Sequence, residues 1–111
     1  MERLEKYRQI IRQLLMSHAA FENGNSNIES QLVFDTEHDH YQLLEVGWEE
    51  LKRIYNCVIH LDIKNSKIWI QQNMTDVDVA RELVEMGVSK EDIVLGLHPP
   101  YKRPYTGYGV A

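Results

Sequence analysis

Six side chains able to carry chemistry fall in two short stretches. Asp35, His38, Asp39 and His40 crowd one turn, and His60 and Asp62 lie two positions apart on one strand. Carboxylate oxygens and imidazole nitrogens ligate divalent metals, and a loop can converge them. A tight hairpin, however, sends neighbouring side chains to opposite sides, and Asp35, His38 and Asp39 are common turn-formers. The set is therefore read as a polar hairpin rather than a metal centre. His60 and Asp62 stand side by side on the outward face of a strand, as a base and its orienting carboxylate would. Strict alternation turns Cys57 to the other face, which leaves the pair without a nucleophile. The pair is read as a polar sheet face suited to a subunit contact. No catalytic, metal or cofactor residue is assigned.

Aromatic residues supply a second kind of chemistry. Trp69 shares a face with Lys67 and Gln71, opposite Ile68 and Ile70. Either it anchors an interface or a helix covers it as core; both readings stand. Tyr101, Lys102, Arg103, Tyr105 and Tyr108 are set among Pro and Gly. Such interleaving binds single-stranded nucleic acid in other proteins. Here the cluster is short and the rest of the chain acidic, so docking on its own protein or on a partner is preferred. The candidate partner interface is Trp69, Tyr101, Arg103, Tyr105 and Tyr108. Pro99, Pro100 and Pro104 lower the entropy cost of one extended path, so residues 98–111 are expected to be ordered by docking.

These groups need elements to hold them. Leu4, Tyr7, Ile11, Leu14 and His18 recur at helical spacing, widened by Ile10 and Leu15, which predicts a helix over 2–19. Glu2 and Lys6 are spaced for an ion pair, and Asn23–Asn27 breaks the element. Strands are predicted from Ile28 to Asp35 and from Tyr41 to Trp48. A third places Tyr55, Cys57, Ile59, Leu61 and Ile63 on one face, with Asn56, Val58, His60 and Asp62 on the other. Lys64–Lys67 turns the chain into Ile68 and Ile70. A second helix is predicted from Thr75, whose hydroxyl would cap the Asp78 amide, to Met86. Val77, Ala80, Leu83 and Val84 form its inner face and Gly87 its left-handed stop. A short element follows at Ile93–Leu95. The expected fold is one α+β domain over 1–111: an N-terminal helix, an antiparallel sheet of three to four or more strands from about Ile28 to Gln72, a C-terminal helix and an extended tail.

The totals agree. One hundred and eleven residues fit one domain, 43% hydrophobic residues supply a core, and 26% charged residues favour solubility. No stretch approaches a membrane span, no apolar export signal precedes the first helix, and Cys57 is the single cysteine. A cytoplasmic protein is expected. The net charge of −5 argues against bulk nucleic-acid binding. Charge is uneven: Arg3, Lys6, Arg8 and Arg12 open the chain, whereas Gln13 to Leu51 holds eight acids and no Lys or Arg. That run is either a solvated surface or a face for a basic partner.

Long stretches carry a resemblance: Leu4–Ile11, Phe34–Glu37, Asp39–Leu44, Val46–Trp48, Tyr55–Ile63, Lys67–Asn73, Glu82–Val84, Lys90–Gly96, His98–Pro100 and Gly107–Ala111. The chain resembles the XisI-like family, the fdxN element excision controlling factors of cyanobacteria, over nearly its whole length. The resemblance implies a role in controlling excision of a DNA element by a site-specific recombinase during heterocyst development. It also implies an XisH-like companion protein. It brings no catalytic residues, and homo-oligomerisation is an open expectation. The tail departs mildly, because the family often has an acidic residue and Phe where this chain has Gly107 and Tyr108.

Overall fold

The computed structural model describes residues 2–20 and 27–110. The Glu2 side chain, residues 23–26 of the breaker cluster and Ala111 lie outside the described residues. Helix α1 (Glu2–Ala19) leads into four strands: β1 (Ile28–Asp35), β2 (His40–Glu49), β3 (Lys52–Lys64) and β4 (Lys67–Asn73). Helix α2 (Val79–Glu85), strand β5 (Ile93–Val94) and a 3-10 turn (Pro100–Tyr105) complete the chain. The sheet order is β1-β2-β3-β4-β5. The first four strands form an antiparallel meander, as the polar connections imply. Asn65 and Ser66, both at positive φ, close the β3–β4 hairpin with the twist that two-residue turns favour. The short β5 pairs with β4 in parallel, so the sheet is mixed rather than wholly antiparallel.

Both helices cover one face. The α1 stripe of Tyr7, Ile10, Ile11, Leu14 and Leu15 packs with Val79, Ala80 and Leu83 of α2 on Tyr41, Leu43, Ile59, Leu61, Ile68 and Ile70. The apolar periodicity of α1 thus becomes the core, and His18 in its last turn bridges to Glu82 of α2 at 2.8 Å.

Helix α2 starts four residues later than its sequence suggests. The Asp78 carboxylate accepts from the Arg81 amide and is the cap. The Thr75 hydroxyl is occupied elsewhere: it donates to Asn73 Oδ1 at 2.6 Å and accepts from the Val77 amide. That local turn competes with the helix. It leaves Val77 44% exposed instead of inside.

The larger departure is in β3. Leu43 pairs with Ile59, but the next residue, Leu44, pairs with Cys57, so Val58 is a bulge. One extra residue reverses the facing of everything before it. Ile59 and Leu61 stay under the helices. Tyr55 and Cys57, expected beside them, share the opposite face with His60 and Asp62. A second bulge, at Gln71, falls between the pairs Leu61–Ile70 and His60–Gln72.

The tail docks on its own sheet. The Gly109 amide donates to Ile93 O at 2.7 Å, and Gly109 bridges to Val94. Lys67 Nζ donates to Val110 O at 2.8 Å. A Cβ at Gly109 would sit 2.3 Å from Glu91 O, which is backbone and cannot step aside. Gly109→Val is expected to release residues 106–110 without unfolding the meander. Hydrogen exchange checks it: protection should fall at Gly109 and persist at Ile59 and Leu61. Unchanged protection at Gly109 would contradict the docking.

Candidate functional site

The face away from the helices is built from cross-strand rows, and each row follows from the register. Trp48 and Arg53 form the first, and Glu29, Val46 and Tyr55 the second. Gln31, Leu44 and Cys57 come next, then Val33, Gln42, His60 and Gln72. Asp35, His40, Asp62, Trp69 and Val94 form the last.

The first two rows are open and aromatic. Trp48 is 49% exposed and Tyr55 66%, with Val33 exposed nearby and Leu44 and Val46 half-buried. The Arg53 guanidinium lies 5.5 Å from the Trp48 ring centre, a stacked cation. Glu29 stands in the same row as Val46 and Tyr55. Trp, Tyr and Arg dominate binding hot spots, and a carboxylate beside them suits a basic partner. Sequence reasoning placed Tyr55 inside because its face depends on the Val58 bulge, and left Trp48 unassigned because Leu43 and Leu44 blur the alternation of its strand.

The last row is polar and ordered. Asp62, 9% exposed, is its centre. Its Oδ1 meets His40 Nδ1 and His60 Nε2, each at 2.8 Å, and its Oδ2 accepts from Gln71 Nε2 at 3.2 Å. Burial pushes the Asp62 carboxyl up, but the hydrogen bonds from His40 and His60 outweigh it and hold the group below the ordinary carboxylate range. The hydrogen bond to Asp62 raises His40, against a smaller effect of desolvation.

These shifts set a pH window. His40 binds its proton more tightly when folded. Its contribution to stability is complete below the unfolded value of about 6.5 and is lost as pH rises through the folded value. Asp62 does the reverse: its contribution is present above about 3.9 and is lost as pH falls through its lowered value. The cluster therefore stabilises most between about pH 4 and 6.5. Thermal melts of the chain and of Asp62→Asn should differ more at about pH 5.5 than at about pH 8. A difference that widens towards pH 8 would contradict this.

The other expected site residues separate. Asp35 turns inward to its own loop: Oδ1 accepts the amides of Glu37 and His38, and Oδ2 meets His38 Nδ1 at 2.9 Å. Asp39 is claimed by Arg8, in a fork with contacts at 2.8 and 3.2 Å, and by the Tyr41 hydroxyl at 2.9 Å. Burial, then the hydrogen bond to Asp39, pushes Tyr41 up to about 12. His40 alone leaves the turn, to join His60 and Asp62. Cys57 shares their face after all, yet its thiol donates to Ile59 O, and burial pushes its pKa up, which suppresses the thiolate.

Trp69 lies beside Asp62 but is 6% exposed. The chain's own cations cover it: Lys64 Nζ is 4.6 Å and the Arg103 guanidinium 5.2 Å from its ring centre. The tail thus reaches round the β4 edge to the open face. Arg103 is also fixed by a hydrogen bond from its Nε to His98 O. Tyr108 packs on the core edge, with Lys90 Nζ 6.0 Å from its ring centre. Tyr101 and Tyr105 project at 71% and 89% exposure. On the helix side, a cleft of about 450 Å³ lies between Ser17 and His18 of α1, Glu82 of α2 and Glu45 and Val58 of the sheet.

A helix-backed sheet with an open, aromatic reverse face and a docked tail defines a small α+β fold. The XisI protein family matches residues 1–110, and the chain belongs to that family. A XisI-like protein from Anabaena variabilis is 56% identical and superposes with a TM-score of 0.93, covering 97% of this chain and 99% of that one. The fdxN element excision controlling factor XisI of the same organism is 31% identical, with a TM-score of 0.85 over 98% of this chain and 99% of that one. Among curated proteins none matches this sequence.

Proposed function

We propose that this chain controls excision of a DNA element as a non-enzymatic accessory factor in the cytoplasm. It works through contacts with an XisH-like companion protein, and its link to the recombinase and to DNA is indirect. Kinship with an fdxN element excision controlling factor supports the process. The observation that supports the mode of action is the open patch of Trp48, Arg53 and Tyr55, with Glu29 in the row of Tyr55. Such a patch suits a basic, apolar-edged protein surface. Tyr101 and Tyr105 supply a second exposed contact on the ordered tail.

The rival readings are a metal-dependent or nuclease-related enzyme, which the His40–Asp62–His60 cluster favours, and a direct DNA-binding regulator, against which the net charge of −5 weighs. Cys57 on the same face is engaged with backbone and held protonated, so it offers no thiolate nucleophile, and kinship with an excision controlling factor puts the accessory reading ahead.

The test is excision in the native cell. Deleting the gene should change the ratio of rejoined to intact element junctions, and a Trp48→Ala/Tyr55→Ala gene should behave as the deletion does. Normal excision in the deletion would remove the controlling role. Normal excision in the variant alone would remove this surface.

A further inference from the structure

We infer that His40, His60 and Asp62 form a binding site for one divalent transition-metal ion, with Gln71 as its positioning residue. The three side chains offer one donor atom each, and all lie within 4.8 Å of one another. A tetrahedral ion with bonds near 2.0–2.1 Å needs its ligand atoms about 3.3 Å apart, so a small turn of the two rings closes the set. Two imidazoles and one carboxylate suit zinc, cobalt or nickel better than calcium or magnesium. Three protein ligands leave a fourth position for water or a partner's side chain.

The supporting shell is already in place. Asp62 is fixed by burial, and Gln71 holds its Oδ2 at 3.2 Å, which leaves Oδ1 directed at both rings. Such outer hydrogen bonds orient metal-bound carboxylates. The ligands come from two adjacent strands, His40 from β2 and His60 with Asp62 from β3. The geometry is therefore set by sheet register and not by a loop. A hairpin folded at Glu50–Leu51 without a bulge would set His40 opposite Leu61. The Val58 bulge moves it opposite Asp62. Each ring must present an unprotonated nitrogen to the ion, so binding weakens in acid as it does for any imidazole ligand. The site takes up metal as pH rises and releases it as pH falls.

The experiment uses the full, untagged chain and two probes, Zn²⁺ by calorimetry and Co²⁺ by visible absorption. One equivalent should bind at pH 7.5, with affinity falling at least tenfold by pH 5.5. His40→Ala, at an exposed side chain that leaves the fold intact, and His60→Ala should each weaken binding by more than about tenfold. Gln71→Ala should weaken it by about tenfold. His38→Ala, in the neighbouring turn, should leave it unchanged. Binding of no more than weak, non-stoichiometric metal by the wild-type chain would overturn the site. So would equal affinity in His40→Ala, or a loss in His38→Ala as large as in His60→Ala.

Discussion

Trp48→Ala/Tyr55→Ala is expected to abolish capture of the companion protein at micromolar concentration while the melting temperature stays within a few degrees of wild type. Both rings stand on the open sheet face, 49% and 66% exposed, so little packing is lost with them. Exposed positions usually change stability by less than about 0.5 kcal/mol. At a binding centre the same side chains are worth about 2 kcal/mol or more each, about thirtyfold apiece. The combination should therefore separate binding from folding. Pull-down with the companion as bait, alongside a thermal melt, reads both. Capture equal to wild type would show that the patch is not the contact.

Ile59→Ala should have the largest effect on the protein itself, because Ile59 is fully buried where β3 resumes its core facing after the bulge. Large-to-small changes at such positions cost about 2–5 kcal/mol. The bulge itself turns Tyr55 and Cys57 to the open face while Ile59 and Leu61 stay in the core, and it sets His40 opposite Asp62. Deleting Val58 takes out the extra residue and leaves Cys57 opposite Leu44, Ile59 opposite Leu43 and His40 opposite Asp62. Only a half-buried side chain is lost, so about 1–1.5 kcal/mol is expected there. Chemical denaturation of the two variants gives the comparison. A Val58 deletion as costly as Ile59→Ala would mean that the facing of β3 does not survive loss of the extra residue.

The same bulge explains what could and could not be read from sequence. Helix α1 was legible because six apolar positions repeat at helical spacing, and each strand of the meander was legible from β-rich runs between turn residues. A bulge leaves no mark in composition, so counting by twos from Leu61 placed Tyr55 in the core and Cys57 opposite His60. Counting across the hairpin fails by one residue for the same reason and keeps His40 from Asp62. Helix α2 was misplaced by four residues because two good caps, Thr75 and Asp78, compete, and Asn73 engages the first. An ordered tail was legible from its prolines, but of its tyrosines only Tyr108 packs, while Tyr101 and Tyr105 project; that the tail would roof Trp69 with Arg103 depends on where the chain rounds the sheet.

Action through another protein is the proposal on which the rest depends. Titration of the purified chain into its purified XisH-like companion, followed by calorimetry and light scattering, is the test. A saturable complex of fixed stoichiometry is expected, lost in Trp48→Ala/Tyr55→Ala and retained in His38→Ala. Two separate, non-interacting species at about 100 μM, or a complex undiminished by the double substitution, would contradict it.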